Sequence, residues 1–168
     1  MSDWKMLTLV GEDQPGIVGQ VTNALYQGGW NLGEASMIRL GGNFTIMLMV
    51  SGSGAVEPVL QPVATKLGLH MHVDDIAGSL HQHVVPNIQV RVAGADRAGI
   101  VAQVTAVLAE KGFNILELES DVAGSSNRPV YIMHIQGYSE LPLELIEEAL
   151  DNLGDIDVNV SPIETLIG

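Results

Sequence analysis

Two short stretches carry residue types and spacing suited to holding a small ligand: Gly11-Glu12-Asp13-Gln14-Pro15-Gly16-Ile17 and Gly94-Ala95-Asp96-Arg97-Ala98-Gly99-Ile100. Each follows an apolar run that reads as a strand and precedes an amphipathic run that reads as a helix. Each is therefore a strand-to-helix elbow. Gly16 and Gly99 lack a Cβ and let a ligand come close to the backbone, where the first N–H groups of a helix have no intrahelical acceptor. Free donors and a partial positive charge at a helix start suit a carboxylate or phosphate. Asp13 and Asp96 have two readings: they take an ammonium group, or they cap their helices, with Pro15 in the first turn for its fixed φ.

Two other groupings carry chemistry-bearing residue types. His70 and His72 alternate onto one strand face that Asp74 continues, and His81 and His83 follow. Imidazole and carboxylate ligate Zn²⁺ or Ni²⁺ and would make a small metal-dependent hydrolase. Nothing in the spacing fixes the two pairs at tetrahedral geometry, so no metal site is expected. Glu144, Glu147, Glu148 and Asp151 form an acidic stripe opposite Leu145, Ala149 and Leu153, which reads as a solvated helix face. Patterns for a serine nucleophile elbow, a phosphate-binding lysine loop, a His-Glu-x-x-His zinc helix or a dinucleotide fingerprint are absent from the sequence. No catalytic residue and no cofactor are expected.

The elements that position the elbows come in two copies. Asp13 and Asp96 lie 83 positions apart, and the same offset carries Gly11 to Gly94, Gly16 to Gly99, Ile17 to Ile100, Gln20 to Gln103, Val21 to Val104, Leu25 to Leu108, Gly29 to Gly112, Asn31 to Asn114 and Glu34 to Glu117. The protein is two copies of one unit. In the first, Lys5–Val10 reads as a strand, Gly16–Gln27 as a helix, Asn31–Leu40 and Asn43–Val50 as a hairpin around Gly41-Gly42, Val56–Leu67 as a helix despite Pro58 and Pro62, and Leu69–Asp74 as a strand. The second repeats the order: strand Asn87–Ala93, helix Gly99–Lys111, strands Asn114–Val122 and Val130–Gln136, helix Leu143–Leu153, strand Ile156–Ser161. Three residues added to its hairpin are assigned to a loop from Ala123 to Pro129.

The expected architecture is α+β: two ferredoxin-like βαββαβ units, residues 1–77 and 86–168, joined by a linker at 78–85. Each has a four-stranded antiparallel sheet with both helices on one face. Pleat alternation assigns Met6, Thr8, Ile46, Leu48 and Val50 to the open face of the first sheet, and Gln89, Arg91, Ile132, His134 and Gln136 to that of the second. The first open face is the more apolar and is expected to pack on another subunit or on the other copy.

Gly-x-Asp-x-Pro-Gly-Ile-Val, a helix, and Gly-Gly-Trp-Asn-Leu within a βαββαβ unit resemble the ACT domain, a small-molecule sensing module of amino-acid metabolism. The second copy keeps Asp96, Gly99, Ile100, Val101, Gly112 and Asn114 but has Ala98 in place of the proline. A tandem of this length resembles the ACT group that represses transcription of glycine cleavage genes. The resemblance implies an amino acid, glycine first, held between paired domains by an elbow of one and the residue opening the second strand of its neighbour. The implied ligand-binding residues are Asp13, Gln14, Pro15, Gly16, Ile17 and Asn31 in the first copy, and Asp96, Arg97, Gly99, Ile100 and Asn114 in the second. An asparagine amide offers donors and an acceptor, which suits a zwitterion.

Charge narrows the partners. Seven basic against 20 acidic residues give a net charge of −13, which repels a phosphate backbone. A transcriptional role would thus run through a partner protein and not through direct contact with nucleic acid. An amino-acid-responsive subunit of a metabolic enzyme shares the same binding chemistry and stays open. With no cysteine, no apolar run of membrane-spanning length and no export pattern at Met1–Lys5, the expectation is a cytoplasmic homo-oligomer without membrane contact.

Overall fold

The computed structural model describes residues 4–76, 84–95 and 99–164. The chain divides into two compact units, Met1–Leu80 and His81–Gly168. In the first, β1 (Trp4–Glu12) leads to α1 (Ile17–Gln27), the hairpin β2 (Asn31–Leu40) and β3 (Asn43–Ser51), then α2 (Glu57–Leu67) and β4 (His70–Asp75). In the second, β5 (Ile88–Ala95) leads to α3 (Ile100–Glu110), the hairpin β6 (Asn114–Ser125) and β7 (Arg128–Tyr138), then α4 (Leu143–Asp151) and β8 (Ile156–Pro162). Both are βαββαβ units with antiparallel four-stranded sheets, ordered β2-β3-β1-β4 and β6-β7-β5-β8.

Local sequence accounts for these elements. Ile17, Val21 and Leu25 recur every four residues on α1 and are all buried. Gly41 and Gly42 both have positive φ, 56° and 78°, which a two-residue hairpin of the right twist requires. Helix α2 forms although Pro62 lies inside it; Pro58 sits harmlessly in the first turn, and Leu60, Ala64 and Leu67 anchor the helix in the core. Each unit has its own core. In the first, the two helices cover Leu7, Leu9, Ile46, Leu48 and Val50; in the second, Ile100, Val104, Leu108, Ile146 and Leu150 join Val90, Val92, Met133 and Ile135.

Two expectations are corrected. Ile46, Leu48 and Val50 face the helices, not the open side: Leu7 lies opposite Leu48 and Leu9 opposite Ile46, and directly opposed residues of an antiparallel pair share a face. The open face of the first sheet is instead built by Met6, Thr8 and Val10 with Thr45, Met47 and Met49, of which Met47 is 44% exposed. The open face of the second sheet carries Gln89, Arg91, Ile132, His134 and Gln136, as the alternation predicts. The three added residues lengthen the second hairpin's strands, and only Ser126 and Asn127 form its turn, because Ser125 pairs with Arg128 and Gly124 with Pro129.

Candidate functional site

At the first elbow, strand β1 ends at Glu12 and the backbone turns through Asp13, Gln14 and Pro15 into α1. The N-cap is Gly16, with φ 86° and ψ 2°, a left-handed conformation that side-chain-bearing residues avoid. No side chain caps the helix. Its first backbone bond runs from the Gln20 N–H to the Gly16 carbonyl, at 3.0 Å, so the N–H groups of Ile17, Val18 and Gly19 stand at the helix end without an intrahelical acceptor. The capping reading of Asp13 is therefore wrong. Its carboxylate pairs with Arg39 Nη2 at 2.5 Å, across from the edge strand β2, and its N–H donates to Gly42 O at 3.0 Å.

The other elbow residues divide by exposure. Gln14 donates from Nε2 to Leu67 O at 3.0 Å and ties the turn to the end of α2. Pro15 is exposed. Ile17 is buried in the core, so only its N–H is available to a ligand. Above Gly16 lies the amide of Gln20: a Cβ built on Gly16 would sit 3.6 Å from Gln20 Nε2 and meet nothing closer. Gln20 Oε1 in turn accepts from Lys66 Nζ at 3.0 Å. The space over Gly16 is thus bordered by helix N–H donors, a side-chain amide and the Lys66 ammonium, with the Arg39 guanidinium on Asp13. Chemically this is a half-site for an anionic group such as a carboxylate.

Arg39, Gln20 and Lys66 were not among the sequence-derived site residues. Gln20 had a signal, since it repeats as Gln103 at the common offset. Arg39 and Lys66 reach the elbow only through tertiary structure. Strand register puts Val122 where the first unit has Arg39, since Arg39 lies across from Phe44 and Gly11 as Val122 lies across from Tyr131 and Gly94. Counting back from the left-handed glycines that end the second helices, Gly68 and Gly154, Asn152 replaces Lys66.

In the second unit Gly99 is again a left-handed N-cap, φ 107°, and Gln103 N–H bonds Gly99 O at 2.9 Å. Ile100 is buried like Ile17. Asp96, Arg97 and Ala98 lie outside the described residues, as do His81 and His83.

The asparagines stand apart from the elbows of their own units. Asn31 lies across from Ser51, and Ser51 across from Trp4, whereas Glu12 at the elbow end lies across from Asn43. The length of β1, at about 3.3 Å per residue, separates the two ends by roughly 26 Å. Asn114 likewise lies across from Tyr138, beside Ile88's end of the sheet. Both asparagines are exposed, and Tyr138, directly opposite Asn114, lines a hollow of about 750 Å³ together with Lys111, Gly112 and Glu140. No unit can bring its own asparagine to its own elbow. Of the histidine grouping, His72 Nε2 and Asp74 Oδ1 are 3.1 Å apart on an exposed strand, and no cluster of three metal-ligating side chains occurs among the described residues.

Comparison with known proteins identifies the unit. Models of the ACT domain match residues 6–74 and 88–155. The chain belongs to the ACT-domain family. Among curated proteins, this tandem ACT chain is 27% identical over 135 residues to the glycine cleavage system transcriptional repressor of Escherichia coli (strain K12), covering 78% of this chain and 71% of the relative. The protein of the same name from Shigella flexneri matches to the same extent. Among solved structures, an unknown protein from Galdieria sulphuraria is similar in fold, with a TM-score of 0.76 at 26% identity, over 98% of this chain and 100% of that one. The chain is a tandem ACT regulatory protein related to the glycine cleavage repressor. Among the described residues no helix is long and apolar enough to cross a membrane.

Proposed function

We propose that this protein is a non-catalytic, cytoplasmic amino-acid sensor that controls a partner protein, a transcriptional regulator of glycine cleavage or related amino-acid metabolism. The observation that carries the reading is the first elbow: a left-handed glycine cap with no side-chain cap, bordered by Gln20 and Lys66. Such an arrangement leaves helix N–H groups directed at open space, where the carboxylate of a small amino acid such as glycine is stabilised. Since Asp13 is engaged by Arg39, the ammonium is met by a different group, and Asn31 of a neighbouring ACT unit supplies a carbonyl acceptor for it. The need for a second unit accords with self-association, for which the methionine-lined open face of the first sheet is an apolar surface. The net charge of −13 directs the regulatory contact toward a protein and away from DNA.

The test is a thermal-shift screen of the full chain with the twenty amino acids. Binding stabilises the fold by mass action, about 2.7 kcal/mol at a hundredfold excess over Kd. Lys66→Ala and Asn31→Ala should each weaken the response, and Gly16→Val should abolish it at the first elbow. If all three variants fold and respond like the parent, the ligand sits elsewhere.

A further inference from the structure

The open face of the second sheet has a feature that the elbow does not explain. Arg91 and Ala93 of β5 lie between β7 and β8, and beside the small Ala93 there is a hollow of about 240 Å³ bordered by Arg91, Ala93, Ile132, Asp157 and Asn159. It opens at Ala93 and Asp157 into a wider depression lined by Ala95, Val130 and Asp155. Register fixes the layout: Arg91 is directly opposite Asn159, and Ala93 is flanked by Asp157 on one side and Ile132 on the other. Arg91 and Asp157 are therefore diagonal neighbours on one face, about 7–8 Å apart along the sheet. Both are exposed, they form no ion pair with each other, and neither side chain has a hydrogen-bond partner among the described residues, so both charges are available on this face.

We propose that this hollow is a binding site for a zwitterionic α-amino acid with a branched apolar side chain, separate from the elbow and confined to the second unit. The Arg91 guanidinium takes the carboxylate, with the Asn159 amide beside it, and the Asp157 carboxylate takes the ammonium. The side chain lies on Ala93 and Ile132 and extends toward Val130. A ligand carrying both charges satisfies both groups at once. A simple anion meets repulsion from a chain of net charge −13 and leaves Asp157 unanswered, and a simple amine leaves Arg91 unanswered. The first sheet has no equivalent: register puts Thr8 where Arg91 stands, Val10 where Ala93 stands, and His70 and His72 in place of Asp157 and Asn159. Val10 fills the space that Ala93 leaves, and the opposed charges are missing. The inference does not depend on the elbow reading.

Backbone amide NMR on the full chain tests it, with L-leucine as the probe and 4-methylpentanoate and 3-methylbutylamine as its two single-charge counterparts. Leucine should shift the amides of Arg91–Ala93 and Asp157–Asn159 saturably, and each counterpart should bind roughly tenfold more weakly or not at all. Arg91→Gln and Asp157→Asn should each cost about tenfold or more in affinity, and Ala93→Leu should remove binding by filling the hollow. These are half-buried or exposed positions, and the amide spectrum itself reports whether each variant is folded. Leucine shifts absent from these residues, or unaltered affinity in folded Arg91→Gln and Asp157→Asn, would overturn the proposal. Shifts confined to Gly16–Gln20 or Gly99–Gln103 would also overturn it while supporting the elbow. Saturable shifts here with silence at the elbows would support the proposal.

Discussion

Replacing Gly16 by alanine should destabilise the first unit by about 1–2 kcal/mol, the cost of placing an L side chain in the left-handed region. The structure isolates this term. A Cβ at Gly16 would meet only Gln20 Nε2, at 3.6 Å, an ordinary contact, so no collision adds to the backbone strain at φ 86°. For a unit of this size each kcal/mol moves the midpoint by roughly 4–8 °C, which gives a fall of about 4–16 °C in the transition assigned to this unit. The internal control is three residues away. Gly19 lies within α1, has ordinary helical backbone angles, and a Cβ there would meet nothing within 4 Å. Gly19→Ala should therefore raise stability by about 0.5–1 kcal/mol through helix propensity alone. Urea denaturation of both variants, followed by far-ultraviolet circular dichroism, reads the two signs. Shifts of the same sign would refute the left-handed cap and with it the geometry of the first elbow.

The corrected phase of β3 predicts that Leu48→Ala costs about 2–5 kcal/mol while Met47→Ala costs under about 1, measured by the same denaturation; equal losses would reverse the face assignment. Arg39→Ala should cost no more than about 1 kcal/mol, because the Arg39 side chain is 68% exposed, and a loss near zero in high salt would match a screened surface pair. A salt-insensitive loss would place the pair out of water. Purified protein should not retard duplex DNA near physiological salt, and retardation that weakens steeply as salt rises would contradict action through a partner.

Much of the fold was legible because local chemistry and tertiary outcome agree. The glycine pairs, the four-residue spacing of Ile17, Val21 and Leu25, and the offset repeat place the twelve elements to within a few residues of their positions. The phase of β3 was not legible. The run Phe44-Thr45-Ile46-Met47-Leu48-Met49-Val50 is apolar at nearly every position, so alternation has no polar marker, and only pairing with Leu7 and Leu9 decides which side is inward. The second hairpin misled for a related reason: glycine and serine at 124–126 read as loop, but antiparallel pairing extends through Gly124 and Ser125. At the candidate site, the elbows and Gly16 were readable from glycine placement. The Asp13–Arg39 pair and the Lys66–Gln20 bond join residues far apart in the chain, and no local pattern reports such contacts.

Strand β2 is hydrogen-bonded along one side only, to β3, its register slips between Leu32 and Ala35, and every one of its residues is exposed. It is therefore an edge strand that peels away more easily than the central strands, and its amides should exchange with deuterium well before those of β1, which is bonded on both sides. Asn31 opens that strand. Anything that grips Asn31 has to hold an edge of the sheet still, and so slowed exchange along β2 would register occupancy, or the arrival of a neighbour, without any change in the average structure.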